Sequence, residues 1–115
     1  MNAWSSCAVL ATQHTSLYGD RVVRCFDGAA SSLYAMFDAA RQAHPQHDAM
    51  VCDELRWSYA QLADEAASLS AGFAACGIRA GDRVVMLLGN RPEFLSVLLA
   101  LQRLGAISVP VGVRE

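Results

Sequence analysis

Lysine is missing altogether: all nine cationic side chains among the 115 residues are arginines, scattered along the chain without a basic run. That absence removes every mechanism that needs a lysine amine. With a formal net charge of -2 there is no electrostatic footprint for nucleic acid either. Long apolar runs are also lacking. The longest nearly apolar stretch, Phe94 to Leu101, is stopped by Gln102 and Arg103, far short of the roughly 20 residues a membrane-spanning helix requires. The opening Met1 to Ala11 has no positive n-region and too short an apolar run for a signal peptide, so a cytoplasmic location is expected. Cys7, Cys25, Cys52 and Cys76 form no Cys-x-x-Cys pair, which leaves zinc and redox readings with little support.

What the chain does have is apolar content, 54% of its residues, ample for a core in one domain or a piece of one. Residues 1–31 read as a loosely defined N-terminal segment. Its one pattern is the alternating run Arg21-Val22-Val23-Arg24-Cys25-Phe26, followed by Asp27-Gly28 as a turn, which predicts a short strand. From Ser32 the spacing becomes helical. Leu33, Met36, Phe37, Ala40 and Ala43 share one face, Ser32 is placed to cap, and Pro45 ends the helix. Met50-Val51-Cys52 and Leu55-Arg56-Trp57 around Asp53-Glu54 then predict a hairpin.

The next helix is marked by Ser58 and Gln61 as a capping box, with Trp57 placed to staple onto Leu62. Its expected stripe is Leu62, Ala66, Leu69, Phe73 and Cys76. Gly77 supplies a left-handed stop, with Ile78 folding back on Phe73. Gly81-Asp82 turns the chain into Val84-Val85-Met86-Leu87-Leu88, a continuous apolar strand of the kind covered on both faces in a parallel sheet. Asn90 and Glu93 then suggest a second capping box around Pro92, opening a helix apolar around most of its girth. Gly105 ends it, and Ile107 to Val111 starts another strand that Pro110 leaves with a free side or terminates. Strand, helix and strand make a right-handed β-α-β unit over about residues 83–111, with parallel strands. The expected architecture is α/β and three-layered, with a partly parallel sheet.

No chemistry-bearing motif emerges. Gly72, Gly77, Gly81 and Gly89 match neither a dinucleotide fingerprint nor a P-loop, and serve as stops and turns. The pattern Gly-x-Ser-x-Gly does not occur. Asp53-Glu54 and Asp64-Glu65 are adjacent carboxylates, which on a turn or a helix do not face each other as acid and base. His44 and His47 with Cys52 make three candidate metal ligands and no fourth, so loop histidines flanking Pro45 and a buried thiol are the preferred reading. Arg91 follows the strand's carboxyl end and is the one residue with an anion-contact reading, against a plain solvent-facing arginine. No catalytic, cofactor-binding or metal-binding residue is assigned.

Taken in order, Ser32-Leu33-Tyr34-Ala35-Met36-Phe37, His44-Pro45, Asp48-Ala49, Trp57-Ser58-Tyr59-Ala60-Gln61-Leu62, Gly77, Gly81-Asp82-Arg83-Val84, Asn90, Glu93, Gly105-Ala106 and Val109-Pro110 resemble the successive N-terminal landmarks of the AMP-forming acyl-CoA synthetases. The resemblance covers about residues 30–111. Val111-Gly112-Val113-Arg114-Glu115 departs from it, since an Asn and a Pro are common soon after the second strand.

The resemblance implies that residues 32–115 are the incomplete N-terminal part of an adenylate-forming domain. It also implies a parent ligase, fatty acid CoA ligases being the nearest match. Such a ligase joins ATP and a carboxylate into an acyl-adenylate and pyrophosphate, then passes the acyl group to a thiol. ATP, magnesium and coenzyme A are implied for that parent and none is expected to be held by this chain. The family places its phosphate chemistry on a Ser/Thr/Gly-rich loop and a C-terminal lysine, which this sequence does not supply. The expected partner is the remainder of the domain, with self-association through uncovered strands. Two alternatives stay open: a small non-catalytic α/β binding or scaffold protein, and the N-terminal part of an amino-acid-activating domain of a peptide synthetase.

Overall fold

A computed structural model describes residues 11–112. Cys7 and the divergent Val113-Arg114-Glu115 lie outside the described residues. The chain divides into two compact units, one up to Ala30 and one from Ser31 onward, described here each by itself.

The first unit is an antiparallel hairpin of β1 (Thr12–Tyr18) and β2 (Arg21–Phe26). Strand β2 coincides with the predicted alternating run. Strand β1 was not anticipated, because Thr-Gln-His-Thr-Ser offers no apolar alternation; its signal lies in the turn. Gly19 takes φ 65°, the left-handed backbone a two-residue hairpin loop demands, and the Ser16 hydroxyl bonds the Gly19 carbonyl. The Asp27 N–H closes the hairpin's open end on the Ala11 carbonyl at 2.8 Å.

The second unit runs α1 (Leu33–Ala43), β3 (Asp48–Cys52), β4 (Leu55–Ser58), α2 (Tyr59–Ala75), β5 (Arg83–Met86), α3 (Pro92–Leu104) and β6 (Ile107–Pro110). Ser32 caps α1 through its hydroxyl, which accepts from the Ala35 N–H at 3.0 Å. The β3–β4 hairpin is antiparallel, with Asp53 in left-handed backbone at φ 51°. At α2 the predicted capping box is complete: the Ser58 hydroxyl accepts from Gln61 N–H at 3.2 Å, and the Gln61 side chain accepts from Ser58 N–H at 2.9 Å. The far end closes as a Schellman motif, with Ile78 N–H donating to Phe73 carbonyl and Gly77 N–H to Ala74 carbonyl.

Two expectations require correction. Asn90 does not cap α3. Proline disfavours helical backbone in the residue before it, so Arg91 takes the extended cap position at φ -132° and ψ 158°, without a side-chain hydrogen bond to the helix end. Glu93 instead pairs with Arg91 at 3.2 Å. On α2 the fully buried positions are Leu62, Ala66 and Ser70 at a uniform spacing of four, so the stripe does not reach Cys76, which is exposed. The α1 stripe is only partly covered, with Met36 57% exposed.

Two clusters form the core, and α3 contributes to both. Leu62, Ala66 and Leu99 gather Tyr34, Phe37, Ala49, Trp57 and Leu95, consistent with the predicted Trp57–Leu62 staple. Met86, Leu101 and Ala106 gather Phe73, Ile78, Val84 and Leu88. Each fully buried leucine contributes on the order of 1.5–3 kcal/mol. This places α3 in the middle of the unit, as its all-round apolar sequence requires.

Strands β5 and β6 are parallel neighbours, Val84 opposite Ser108 and Met86 opposite Pro110. The α/β class and the β-α-β unit are therefore present, with the parallel sheet two-stranded among the described residues. Met86 is buried toward α3, while Val85 and Leu87 are each 65% exposed. The described residues thus supply one of the two covers that the apolar run of β5 calls for.

Candidate functional site

The carboxyl end of β5 is the place where an open α/β sheet binds ligands. Here it leads through Gly89, Asn90 and Arg91 into α3, and faces a cleft of about 270 Å3 whose opposite wall is Met50, Val51 and Cys52 of β3. Pro92 fixes the start of α3, and its predecessor Arg91 projects from the extended cap. The Arg91 guanidinium is exposed and already matched by Glu93. The Glu93 carboxyl sits below its usual range. Its hydrogen bond to its own backbone N–H in the first turn of α3 contributes most, burial opposes the shift, and Arg91 adds to it. An anion entering this cleft would compete with a carboxylate held charged.

A second cavity, an open groove of about 340 Å3, lies between α1, α2 and α3. Leu33, Met36 and Phe37 line one side and Leu62, Leu98 and Leu99 the other. Its lining is almost wholly apolar, so it can hold apolar surface and offers nothing to orient a charged reactant. Sequence reasoning placed these α1 residues on one face and named no cavity beside it. The signal was present in the length of the stripe, which exceeds what α2 and α3 cover.

The remaining candidates do not converge. His44 and His47 stack at 4.9 Å between ring centroids, with His47 N–H donating to the His44 carbonyl at 3.1 Å. Among the described residues no three His, Cys, Asp or Glu side chains are grouped to hold a metal ion. Cys52, read from sequence as buried, is half-buried on β3. Asp53 and Glu54 form the hairpin turn, and Asp64 and Glu65 are exposed on α2. Gly77 and Gly81, at φ 93° and 86°, stop a helix and turn the chain. A contact that no local pattern signalled links α1 to α3: Arg103 donates to the Tyr34 hydroxyl at 2.9 Å and lies 5.8 Å from its ring centroid.

These residues do not fit a nucleotide or its magnesium. The chain contains no lysine, its left-handed glycines among the described residues occupy stops and turns, and Arg91, the arginine beyond the carboxyl end of β5, is paired with Glu93.

Comparison with known proteins places the chain. The family model described as AMP-binding enzyme matches residues 37–114. Triostin synthetase I of Streptomyces triostinicus is 45% identical over 74 residues, 64% of this chain and 14% of that protein. The 2,3-dihydroxybenzoate-AMP ligase of Bacillus subtilis is 48% identical over 61 residues, 53% of this chain and 11% of its own length. Among solved structures, the fatty acyl CoA synthetase of Mycobacterium tuberculosis superposes with a TM-score of 0.68 at 30% identity, covering 73% of this chain and 17% of that one. The chain thus spans less than a fifth of each of these relatives. With its β-α-β unit and the helices α2 and α3 lying wholly inside the matched region, the chain belongs to the AMP-binding enzyme family, of which it represents an N-terminal part.

Proposed function

We propose that this chain is the N-terminal scaffold of a carboxylate-activating, adenylate-forming ligase domain and is inactive by itself. The observation that carries the reading is the family match over residues 37–114, set beside a residue inventory with no lysine and no phosphate-binding loop. In the complete enzyme, ATP and magnesium would be held by parts of the domain beyond these residues. This segment would supply the β5-α3-β6 framework on which those parts are built, and the remainder of the domain is its partner.

The acid activated by the complete enzyme is a fatty acid in this reading, supported by the likeness to the mycobacterial fatty acyl CoA synthetase, with coenzyme A as the thiol. A second reading, activation of an amino or aromatic acid for a peptide-type synthetase, is favoured by the higher identity to Triostin synthetase I and to the dihydroxybenzoate ligase.

ATP–pyrophosphate exchange tests the proposal. The 115-residue chain, assayed with ATP, magnesium and panels of fatty, aromatic and amino acids, gives no exchange above a protein-free blank. Exchange stimulated by any acid would overturn it.

A further inference from the structure

Among the described residues β2 is the longest strand without a bulge, proline or glycine, running six residues from Arg21 to Phe26. Its neighbour β1 carries a register irregularity between Ser16 and Tyr18, β3 carries one between Asp48 and Met50, and β6 ends on Pro110. Bulges and prolines are the devices that keep a strand edge from templating another strand, and β2 has neither. The β1–β2 sheet is two-stranded among the described residues, and a lone two-stranded hairpin is marginally stable in water.

The register shows which backbone groups of β2 are free. Asp27 donates its N–H to the carbonyl of Ala11 at 2.8 Å, and hydrogen-bonded and non-bonded positions alternate along an antiparallel pair. Cys25 and Val23, opposite Gln13 and Thr15, therefore turn their N–H and C=O groups toward β1, while Val22, Arg24 and Phe26 turn theirs outward. Among the described residues no turn, loop or cap hydrogen bond reaches those outward groups. The side chains of Val22 and Phe26 are also open, at 64% and 59% exposure.

We propose that a second copy of this chain pairs on the outer edge of β2, strand against strand and antiparallel, about a two-fold axis at Val23. Charge and register select this occupant. Outward residues must oppose outward residues, and the strand overlaps itself most fully with the axis at Val23 or at Arg24. An axis at Arg24 sets two guanidiniums directly opposite each other, which is destabilising. An axis at Val23 sets Val22 opposite Arg24 of the other copy on both sides, and these pairs exchange their N–H and C=O groups. Each arginine of β2 then lies diagonally beside an aspartate of the other copy, Arg24 by Asp20 and Arg21 by Asp27. The two Arg24 side chains are diagonal to each other across the axis, and each is drawn away from it by its aspartate. The edge is thus complementary in charge to itself, which an unrelated strand would match only by coincidence.

Sedimentation of the 115-residue chain over a concentration series tests the pairing. The chain forms a concentration-dependent dimer; a monomer throughout would overturn the proposal. Arg24→Pro deletes an outward donor and spares the ladder to β1, so it raises the dimer dissociation constant roughly tenfold or more. Asp20→Arg and Arg24→Asp each weaken the dimer, and the two together restore it to within about threefold of the parent. A dimer indifferent to all of these lies on another surface, and single changes that are not rescued by the double would exclude the charge pairing.

Cross-linking locates the axis without reference to stability. In a chain whose four cysteines are replaced by serine, Val23→Cys oxidises to a disulfide-linked dimer, because directly opposed non-hydrogen-bonded residues bring their Cα atoms to about 4.5 Å. Val22→Cys, two positions out of step with its counterpart, stays monomeric on a denaturing gel. Cross-linking at neither position, at Val22 alone, or equally at both as random collision gives, would overturn the pairing about Val23.

Discussion

Gly81 donates its backbone N–H to the carbonyl of Gly105 at 2.9 Å. Both residues hold left-handed backbone, Gly81 at φ 86° and Gly105 at φ 74°. The bond ties the loop entering β5 to the helix stop entering β6, and Ile107 N–H adds a second tie to the Asp82 carbonyl at 2.7 Å. These ties hold the strands' entry, and Val111 N–H holds their exit on the Met86 carbonyl at 3.0 Å.

That junction is crowded on one side. A Cβ on Gly105 would stand 3.3 Å from the Cβ of Ala80, whereas one on Gly77 would meet nothing within 4 Å. Left-handed backbone costs a non-glycine residue roughly 1–2 kcal/mol, so Gly77→Ala should lower stability by about that much. Gly105→Ala adds the Ala80 contact and should cost measurably more. Urea unfolding of both variants checks this, and equal or reversed losses would contradict it.

The two serine caps and the asparagine that does not cap separate cleanly. Ser58→Ala removes the hydroxyl that accepts from Gln61 N–H and should cost about 1 kcal/mol. Asn90→Ala should change stability by less than about 0.5 kcal/mol, because Asn90 makes no cap and Arg91 occupies that position. A larger loss at Asn90 than at Ser58 would mean that the start of α3 is wrongly placed.

Core truncations should report the central position of α3. Leu101 is 0% exposed and Leu62 1% exposed, one in each cluster. Replacing either by alanine should cost about 2–5 kcal/mol. The double variant should be additive within about 0.5 kcal/mol if the clusters are independent; strong coupling in chemical denaturation would show a single continuous core.

Acid should loosen α1 before the core. The Asp38 carboxyl is held below its ordinary 3.8 by hydrogen bonds from Arg41, at 2.7 Å, and then from Gln42. A depressed folded-state value means that the stabilisation is fully present above the unfolded value and is lost as pH falls from about 4 through the lower folded value. The stability of Asp38→Asn relative to the parent should therefore be lower at neutral pH and converge with it in acid. Denaturation at pH 7 and pH 3 measures this; a constant difference would refute the linkage.

Legibility followed locality. Ser32, Ser58 with Gln61, and Gly77 with Ile78 were readable because a cap or stop is decided within a few residues of chain. The parallel pairing of β5 and β6 was readable because handedness leaves few alternatives once a helix joins two apolar strands. Asn90 misled because two capping candidates stood side by side and the proline chose between them. Strand β1 was hidden because its stability comes from backbone pairing rather than its side chains. At the candidate site, Arg91 could be placed but its pairing with Glu93 could not. The groove beside Met36 and the Tyr34–Arg103 contact join α1 to α3 across 69 positions, a distance over which sequence pattern is mute.

The crossover also orders events during synthesis. A parallel partner for β5 cannot be made until the whole of α3 has followed it, so Val84 to Leu88 must wait unpaired while the chain grows. By then the Ser58 cap, the Gly77 stop and the β3–β4 hairpin are complete and local. Helix α3, arriving with an apolar surface on most sides, meets α2 before β6 exists. Through that interval the backbone edge of β5 is open to other nascent chains, and the time taken to make α3 and β6 determines how long it lasts.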